Sequence, residues 1–512
     1  SSRTCWSGFR RPARRCSSVR VWSFDVRVIG RFDRHLRGES NYVLTQHVQN
    51  LRDALSGLGG QHYIRNKWDR IYVQADHPGS AHRIAGVFGV ASVSRVDARL
   101  PPDLEQIVAV GHDLYRERVG RHRTLAVRAR RSGRHHFGSR DVCIQLGAAL
   151  NPYGTVDLDA PDVTVSVEVR EDEAFLFCGR EAGVGGLPLG VEGKAVCLIS
   201  GGFDSPVAAW LALRRGVSLD YVFCNLAGDA YERMVASVTK VLADEWSFGD
   251  HPRLHVVDFA AVVDDLRAKT ESRYWQVVLK RFMYRAAEAV ALELRAEAIV
   301  TGEAIGQVSS QTLGNLRAID AVATLPVFRP LLGFDKSWII ERAEEVGTAA
   351  LSARVREYCA ITPERPVTHS SPERVAAQET DLDLSLLRQA VGERRVLDLR
   401  CLTAVDLVEP YLFIDQVPEG AVILDCRSPE QYRAWHYPGA ELRAPDEVAL
   451  RMKELSKDST YVLYCEHGVQ TAPIAELMQR VGYEAYSFQG GVTRLRDWAA
   501  RQTVSSEPGE VG

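Results

Sequence analysis

The chain has 512 residues, of which 46% are hydrophobic and 25% charged, and its formal net charge is −3. This length exceeds what one hydrophobic core normally organises, so we expect three or four domains. No apolar run approaches the roughly 18 residues of a membrane-spanning helix, so we expect no association with membranes. The ten cysteines form no Cys-x-x-Cys pair. Their scatter disfavours a zinc ribbon or a disulfide scaffold and favours a reducing, cytoplasmic location.

The N-terminal part of the chain divides into an unassigned segment and two predicted domains. Residues 1–30 are irregular or unassigned; their first twenty carry six arginines and no acid, a composition that superficially resembles a transit peptide. Residues 31–80 have a helical apolar pattern over 41–58 and a strand at 70–74, which predicts a small α+β domain. Residues 81–185 add the strand Thr124–Arg131, the helix Ser139–Leu150 and further strands.

A block of positive charge lies inside the second of these domains. From His112 to Arg140 there are nine arginines and two acids. Clustered arginines on a strand and its loop neutralise phosphates and suit a folded RNA, whereas a solvated charged face is the alternative on charge alone. The candidate RNA-binding residues are Arg128, Arg130, Arg131 and Arg134.

Residues 190–400 alternate apolar strands with helices, which predicts a doubly wound parallel sheet that binds ligands at the carboxyl ends of its strands. The strand Ala195–Ile199 is followed by Ser-Gly-Gly-Phe-Asp-Ser at 200–205 and by a helix over 206–216. A strand, a glycine turn and a helix together direct backbone N–H groups at an anion. No Gly-Lys-Ser/Thr follows, so this is not a Walker A loop; an ordinary tight turn is the alternative.

The C-terminal part of the chain contains a candidate reactive thiol. The polar, proline-containing segment Thr362–Thr380 predicts a linker, residues 405–500 a last α/β domain, and residues 501–512 a disordered tail. Cys465 follows the apolar strand Tyr461–Tyr464 and precedes a loop and a helix. Backbone N–H groups and a helix dipole in such a loop favour a thiolate, although a buried inert cysteine is the alternative.

Several of these strings resemble known families. The motif at 200–205 resembles the PP-loop of ATP pyrophosphatases. Segments 88–94, 127–134, 141–150, 161–170 and 185–190 resemble the THUMP domain of RNA-modifying enzymes, and segments 423–430, 436–440 and 490–492 resemble the rhodanese-homology domain. Segments 279–285, 301–313 and 329–336 add to these matches. Together, all of these segments make the chain from about Leu36 to Trp498 resemble the ThiI family of tRNA 4-thiouridine synthetases.

The resemblance implies an α/β multidomain fold. Its expected parts are a ferredoxin-like α+β domain, a THUMP domain, a PP-loop ATPase domain with a doubly wound parallel sheet, and an α/β rhodanese domain. It also implies three catalytic residues, Asp204, Cys359 and Cys465. The expected ATP-binding residues are Leu198, Ile199, Ser200, Gly201, Gly202, Ser205, Phe223, Cys224, Lys280, Gly302 and Gln311. No metal ligands are assigned.

The same resemblance implies a reaction. The uracil O4 of uridine 8 in tRNA is adenylated with ATP and Mg²⁺, and a Cys465 persulfide then delivers sulfur, directly or after attack by Cys359. The expected sulfur donor is a cysteine desulfurase, and donation of sulfur to the thiamine thiazole is a further implied role. Glu466 replaces the Arg of many rhodaneses, which favours a protein persulfide donor over thiosulfate. Thr471 occupies the position where a cysteine phosphatase requires Arg.

Two other functions stay open from the sequence. A sulfur-relay rhodanese for thiazole synthesis would leave the ATP site idle, so it would survive loss of Asp204 but not of Cys465. A tRNA-binding module without catalysis would bind with a steep salt dependence and release no pyrophosphate. The oligomeric state is also open, a homodimer included.

Overall fold

The computed structural model describes residues 22–28, 39–67, 70–120, 123–226, 229–353, 365–407, 412–466 and 471–505. The chain divides into two compact units. One comprises Ser1–Val26, Leu55–Ala81 and Val93–Glu181, and the other comprises Arg27–Ala54, His82–Ser92 and Ala182–Gly512. Within the described ranges, every helix is too short or too polar to cross a bilayer.

The N-terminal elements agree with the predicted small α+β domain. They are β1 (Trp22–Val28), α1 (Glu39–Ser56), β2 (His62–Lys67), β3 (Arg70–Ala75), α2 (Ser80–Ala85) and β4 (Val90–Val96). Strands β2 and β3 form an antiparallel pair with His62 opposite Ala75. Ile71 and Val73 of β3 are buried on one face, as the two-residue period of a half-buried strand requires. Residues 31–38 of the predicted domain lie outside the described residues.

The basic segment forms a mixed sheet covered by two helices. Its elements are β5 (Ala98–Leu100), α3 (Leu104–Val119), β6 (Thr124–Arg131), α4 (Ser139–Leu150), β7 (Thr155–Val156), β8 (Val163–Val169) and β9 (Ala174–Cys178). The next strand, β10 (Glu181–Ala182), belongs instead to the N-terminal sheet, whose order is β10-β4-β1-β3-β2. The order of the mixed sheet is β5-β9-β8-β6-β7, and β6 runs parallel to β8. Tyr115 of α3 and Leu146 of α4 pack on Leu125 and Val165 of the sheet. The sequence predicted β6 and α4 with these bounds.

The third segment contains the parallel sheet. Its elements are β11 (Lys194–Leu198), α5 (Asp204–Arg214), β12 (Ser218–Asn225), α6 (Asp229–Trp246), β13 (Arg253–Asp258), α7 (Ala260–Lys269), α8 (Trp275–Glu293), β14 (Ala298–Val300), α9 (Leu313–Asp320), β15 (Val327–Phe328), α10 (Lys336–Val346), α11 (Ala349–Ser352), α12 (Pro372–Gln378), α13 (Leu384–Gly392) and β16 (Arg395–Asp398). The sheet order is β15-β14-β11-β12-β13-β16. Only β16 at the edge is antiparallel to its neighbour.

Helices cover both faces of this sheet, as the predicted doubly wound fold requires. Cys197 faces a core formed with α5, α6 and α10. The adjacent Val196 faces a second core formed with α7, α8, α9, α12 and α13. Strands buried on both faces read as continuous apolar runs, which is the pattern that predicted them.

The predicted linker Thr362–Thr380 is partly wrong. Within it, α12 begins with Ser371, whose hydroxyl accepts a hydrogen bond from the Arg374 N–H, and with Pro372 at the first helical position. Val375 of this helix is fully buried. Ser followed by Pro is a helix start as often as a chain break, and tertiary burial of Val375 decides between them. Residues 362–364 lie outside the described part of the chain.

The last segment is a second parallel sheet between helices. Its elements are α14 (Ala404–Leu407), β17 (Phe413–Ile414), β18 (Val422–Asp425), α15 (Pro429–Ala434), β19 (Glu441–Leu442), α16 (Pro445–Leu450), β20 (Thr460–Tyr464), α17 (Ala472–Arg480), β21 (Glu484–Phe488) and α18 (Gly491–Ser505). The sheet order is β17-β21-β20-β18-β19, with every pair parallel. Helix α18 continues to Ser505, so the predicted tail at 501–512 is helical over its first residues, and residues 506–512 lie outside the description.

Candidate active site

The loop between β11 and α5 is closed by one buried hydroxyl. The Ser200 N–H donates to Ser205 Oγ at 2.8 Å, and Ser205 Oγ donates back to the Ser200 carbonyl at 3.1 Å. These bonds hold Ser200, Gly201 and Gly202 in a turn at the N-terminus of α5. The helix begins at Asp204, so its unpaired N–H groups and positive dipole end face this turn. The geometry is that of an anion-binding loop.

Asp204 is held by two side chains from later segments. Lys336 Nζ donates to both carboxylate oxygens of Asp204 at 2.9 Å, and Gln307 Nε2 donates to Oδ2 at 3.1 Å. Lys336 is the first residue of α10. Lys336 lies in the segment 329–336 that resembles the ThiI family but is not among the predicted site residues, although a lysine directly after Gly-Phe-Asp was a usable signal. Only the tertiary structure pairs it with Asp204.

Gly302 brings the end of β14 against the same loop. A Cβ atom at Gly302 would lie 2.6 Å from the Ser205 nitrogen and 2.7 Å from the Asp204 carbonyl carbon. Real Cβ atoms do not approach backbone atoms this closely, so the position requires glycine. The predicted ATP-binding residue Gly302 is therefore in direct contact with the predicted loop.

Lys280, predicted to contact ATP, belongs to a buried charged network. Lys280 Nζ donates to Glu303 Oε1 at 2.8 Å, and Arg329 Nε donates to Glu303 Oε2 at 2.9 Å. The Tyr284 hydroxyl also donates to Glu303. Burial by itself would raise the pKa of the Glu303 carboxyl, but these donors and cations outweigh it and lower that pKa from 4.5 to about 2. Glu303 and Arg329 were not singled out from the sequence.

The remaining predicted ATP-binding residues lie at the same sheet edge. Leu198 ends β11, and the Ile199 N–H donates to the Val222 carbonyl of β12 at 3.0 Å. Phe223 and Cys224 follow in β12 and are buried, and burial raises the pKa of the Cys224 thiol well above its usual value. The buried Gln311 side chain accepts a hydrogen bond from the Ala304 N–H at 3.4 Å.

Asp204 and nine of the predicted ATP-binding residues thus lie at or just after the carboxyl ends of β11, β12 and β14. The other two, Lys280 and Gln311, contact Glu303 and Ala304 in the segment that follows β14. In open α/β sheets the carboxyl-end edge is the ligand-binding side. Among the residues that the structure describes, no group of three or more His, Cys, Asp or Glu side chains is arranged to hold a metal. Asp204 is the carboxylate that the loop itself offers, and Mg²⁺ is commonly bound by one or two carboxylates together with substrate phosphates.

Cys465 directly follows β20, the central strand of the second parallel sheet. Its side chain is buried, and Thr471 Oγ1 donates to Cys465 Sγ at 3.7 Å. Thr471 precedes α17, so the sulfur lies near a helix N-terminus. Residues 467–470 of the predicted loop lie outside the described residues, as does Cys359, whose position relative to Cys465 is left as a prediction.

Neighbouring segments hold the backbone at Cys465. The Val492 N–H donates to the Cys465 carbonyl at 2.9 Å. A Cβ atom at Gly491 would lie 2.6 Å from the Cys465 carbonyl oxygen, so glycine is required where α18 meets this strand. Glu466 accepts a hydrogen bond from Gln431 Nε2 at 3.1 Å.

The four predicted RNA-binding arginines are all exposed. Arg128, Arg130 and Arg131 lie on β6. Arg128 donates to the Leu158 carbonyl, and Arg131 donates to the Gly133 carbonyl at 2.6 Å. Arg134 follows in the next loop. Their guanidinium groups are therefore on the surface of the first unit, as phosphate binding requires.

Three family models match the chain. The model described as "Thiamine biosynthesis protein (ThiI)" matches residues 190–384, the rhodanese-like domain model matches residues 411–497, and the THUMP domain model matches residues 102–178. These matches cover the three segments in which the site residues lie.

Whole-chain relatives agree with the family models. The chain is 40% identical over 420 residues to a protein from Desulfurococcus amylolyticus named tRNA sulfurtransferase, covering 81% of this chain and 86% of that protein. It is 38% identical over 445 residues to a protein of the same name from Pyrobaculum aerophilum, covering 86% and 90%. The chain belongs to the tRNA sulfurtransferase family.

A solved structure supports the same family at the level of the fold. The crystal structure of a 4-thiouridine synthetase–RNA complex with bound ATP superposes with a TM-score of 0.66 at 32% identity. The match covers 74% of this chain and 99% of that one. This tRNA sulfurtransferase family member therefore has the predicted α/β multidomain fold.

Proposed function

We propose that this chain is the ATP-dependent enzyme that converts uridine 8 of tRNA to 4-thiouridine. The observation that carries the proposal is the loop at 200–205 with Asp204 paired to Lys336 at 2.9 Å. A related structure that contains both RNA and ATP supports it. The Cys465 thiol, which would carry the persulfide, and the four arginines of the THUMP segment supply the other groups that the reaction needs.

In the first step, the uracil O4 attacks the α-phosphorus of ATP, pyrophosphate leaves, and N3 of the adenylated base releases its proton to solvent. The N–H groups at the start of α5 bind the phosphate oxygens that gain charge. Lys280 supplies a cation from α8, and Lys336 supplies one from α10. Asp204 would be the protein ligand of Mg²⁺, which when bound would supply neutralisation of phosphate charge.

In the second step, the terminal sulfur of the Cys465 persulfide attacks C4 and AMP leaves. A second thiol, assigned by resemblance to Cys359, then attacks Cys465 Sγ and breaks the S–S bond that was present in the persulfide, which releases 4-thiouridine. The product enzyme carries a Cys359–Cys465 disulfide, which a thiol reductant must reduce before the next turnover. A cysteine desulfurase is the proposed source of the persulfide, since Glu466 disfavours thiosulfate.

Binding of the RNA is assigned to the first unit. Arg128, Arg130, Arg131 and Arg134 would neutralise backbone phosphates, which gives affinity without reading sequence. The target uridine must leave its stack for O4 to reach the sheet edge, because the reacting atom has to approach the α-phosphorus directly.

Nucleoside mass spectrometry tests this proposal. Transfer RNA is incubated with the protein, ATP, Mg²⁺, cysteine and a desulfurase. Asp204→Ala and Cys465→Ala should each abolish 4-thiouridine, and the exposed controls Asp381→Ala and Cys401→Ala should retain it. Thiazole-sulfur transfer that persists in Asp204→Ala, without 4-thiouridine from the wild type, would instead support a sulfur relay.

A further inference from the structure

One side chain at the Asp204 site has a polar atom for which the protein offers no partner. Gln307 donates through Nε2 to Asp204 Oδ2 at 3.1 Å. Because a carboxylate accepts hydrogen bonds and cannot donate when ionised, this contact fixes which end of the amide is NH₂. Gln307 Oε1 therefore points away from Asp204.

Gln307 Oε1 is shielded from solvent and has no hydrogen-bond donor among the described residues. Buried polar atoms are nearly always paired, so an unpaired acceptor beside a reactive site needs an explanation. Leaving it unpaired is unfavourable for the folded protein. A ligand with an N–H or O–H group at this point would recover that cost.

The loop that carries Gln307 gives this point the character of a nucleobase site. Ile305 and Val308 flank Gln307 and are exposed, at 48% and 44% of their surface. Between them, Gly306 has a φ of +74°, a conformation that glycine adopts without strain. Exposed aliphatic side chains close in sequence to a buried acceptor suit the face of a flat ring that carries an N–H on its edge.

The phosphates of ATP carry no donor, so the donor that Oε1 lacks would come from the edge of a base or from a ribose hydroxyl. Uracil has an N3–H next to the C4–O4 group that the proposed reaction adenylates, whereas cytosine has an acceptor at N3. We infer that Gln307 is a specificity-determining residue whose Oε1 accepts a hydrogen bond from N3–H of the target uracil. This inference rests on the proposed function.

In this proposal, Gln307 contacts Asp204 through Nε2 and the target uracil through Oε1. The Nε2 bond to Asp204 orients the amide, and the Oε1 bond then places uracil O4 within reach of the phosphate loop. A cytosine would face Oε1 with a lone pair, which leaves two acceptors opposed. Discrimination by an unpaired or opposed polar group is stronger than discrimination by shape alone.

A double-mutant cycle between protein and RNA tests the contact. The protein is wild type or Gln307→Met, a substitution that keeps the length of the side chain and removes both of its polar atoms. The RNA carries uridine or 3-deazauridine, which replaces N3–H by C–H. The measured quantity is the rate of RNA-dependent pyrophosphate release at saturating ATP, with Gln389→Met, an exposed residue of α13, as the matched control.

In the wild type and in the control variant, we expect the rate with 3-deazauridine to be about tenfold or more below the rate with uridine. In Gln307→Met, we expect the analogue to cause no comparable loss. Equal losses in wild type and Gln307→Met would overturn the inference, since any change in O4 reactivity is common to both proteins. The comparison of uridine with 3-deazauridine in the wild type does not depend on whether Gln307→Met folds. Absence of 4-thiouridine from wild type with uridine would instead refute the proposed function.

Discussion

Replacing Glu303 by Gln should destabilise the parallel-sheet domain by an amount that the structure allows to be estimated. The pKa of Glu303 falls from 4.5 to about 2 on folding. At 1.36 kcal/mol for each pKa unit, the ionised carboxylate contributes about 3 kcal/mol at neutral pH. Its side chain is 4% exposed, so solvent screens this contribution little. Gln has nearly the same size as Glu but lacks the negative charge with which Lys280 and Arg329 both pair.

The pH dependence has a defined sign. The pKa of Glu303 is lower in the folded state, so its stabilisation is present in full above pH 4.5. It is lost as the pH falls from about 4.5 to about 2. Glu303→Gln should therefore differ from wild type at pH 7, and the two proteins should converge as the acid titrates.

Hydrogen–deuterium exchange of peptides from α8, read by mass spectrometry, measures this difference locally. A loss of about 3 kcal/mol corresponds to about 150-fold faster exchange at pH 7. Glu293→Gln is the matched control, because Glu293 pairs with Arg394 at 2.6 Å but is 59% exposed, and exposed pairs contribute less than about 1 kcal/mol. Equal protection in wild type and Glu303→Gln, or a deficit of the same size in Glu293→Gln, would refute the reasoning.

Three further predictions follow from single contacts. Gly302→Ala should displace the loop at Ser205 and raise the KM for ATP at least tenfold in steady-state assays, because its Cβ would lie 2.6 Å from the Ser205 nitrogen. Thr471→Val removes the donor to Cys465 Sγ and should slow alkylation of that thiol by iodoacetamide about fivefold. Arg130→Glu with Arg134→Glu should weaken RNA binding and reduce the slope of log Kd against log salt by about 2, measured by filter binding.

The sequence predicted the elements with strong local patterns. The apolar runs of β11 and β12 are buried on both faces, and that pattern is visible without a structure. The bounds of β6 and α4 follow from alternation and helical spacing. The motif at 200–205 predicted a strand, a turn and a helix, because Gly and Ser impose local conformations that depend little on distant residues.

Predictions that depended on a choice between two local outcomes were less reliable. Ser371-Pro372 begins a helix in the structure, where the proline content of the segment indicated a linker. The helix is favoured because Val375 reaches the core formed with α8. The tail prediction failed in part for the same reason, since α18 remains helical beyond Trp498, a residue that packs on the sheet.

What the sequence determined by itself was the set of chemical groups: a phosphate-binding loop with Asp204, a candidate thiol at Cys465 and a surface rich in arginine. What only the tertiary structure decided was their partners. Lys336 meets Asp204 across 132 residues of chain, and Glu303 gathers Lys280 and Arg329 from two other segments. Such contacts arise from how strands are ordered in a sheet, and no local pattern encodes the distance between residues far apart in the chain.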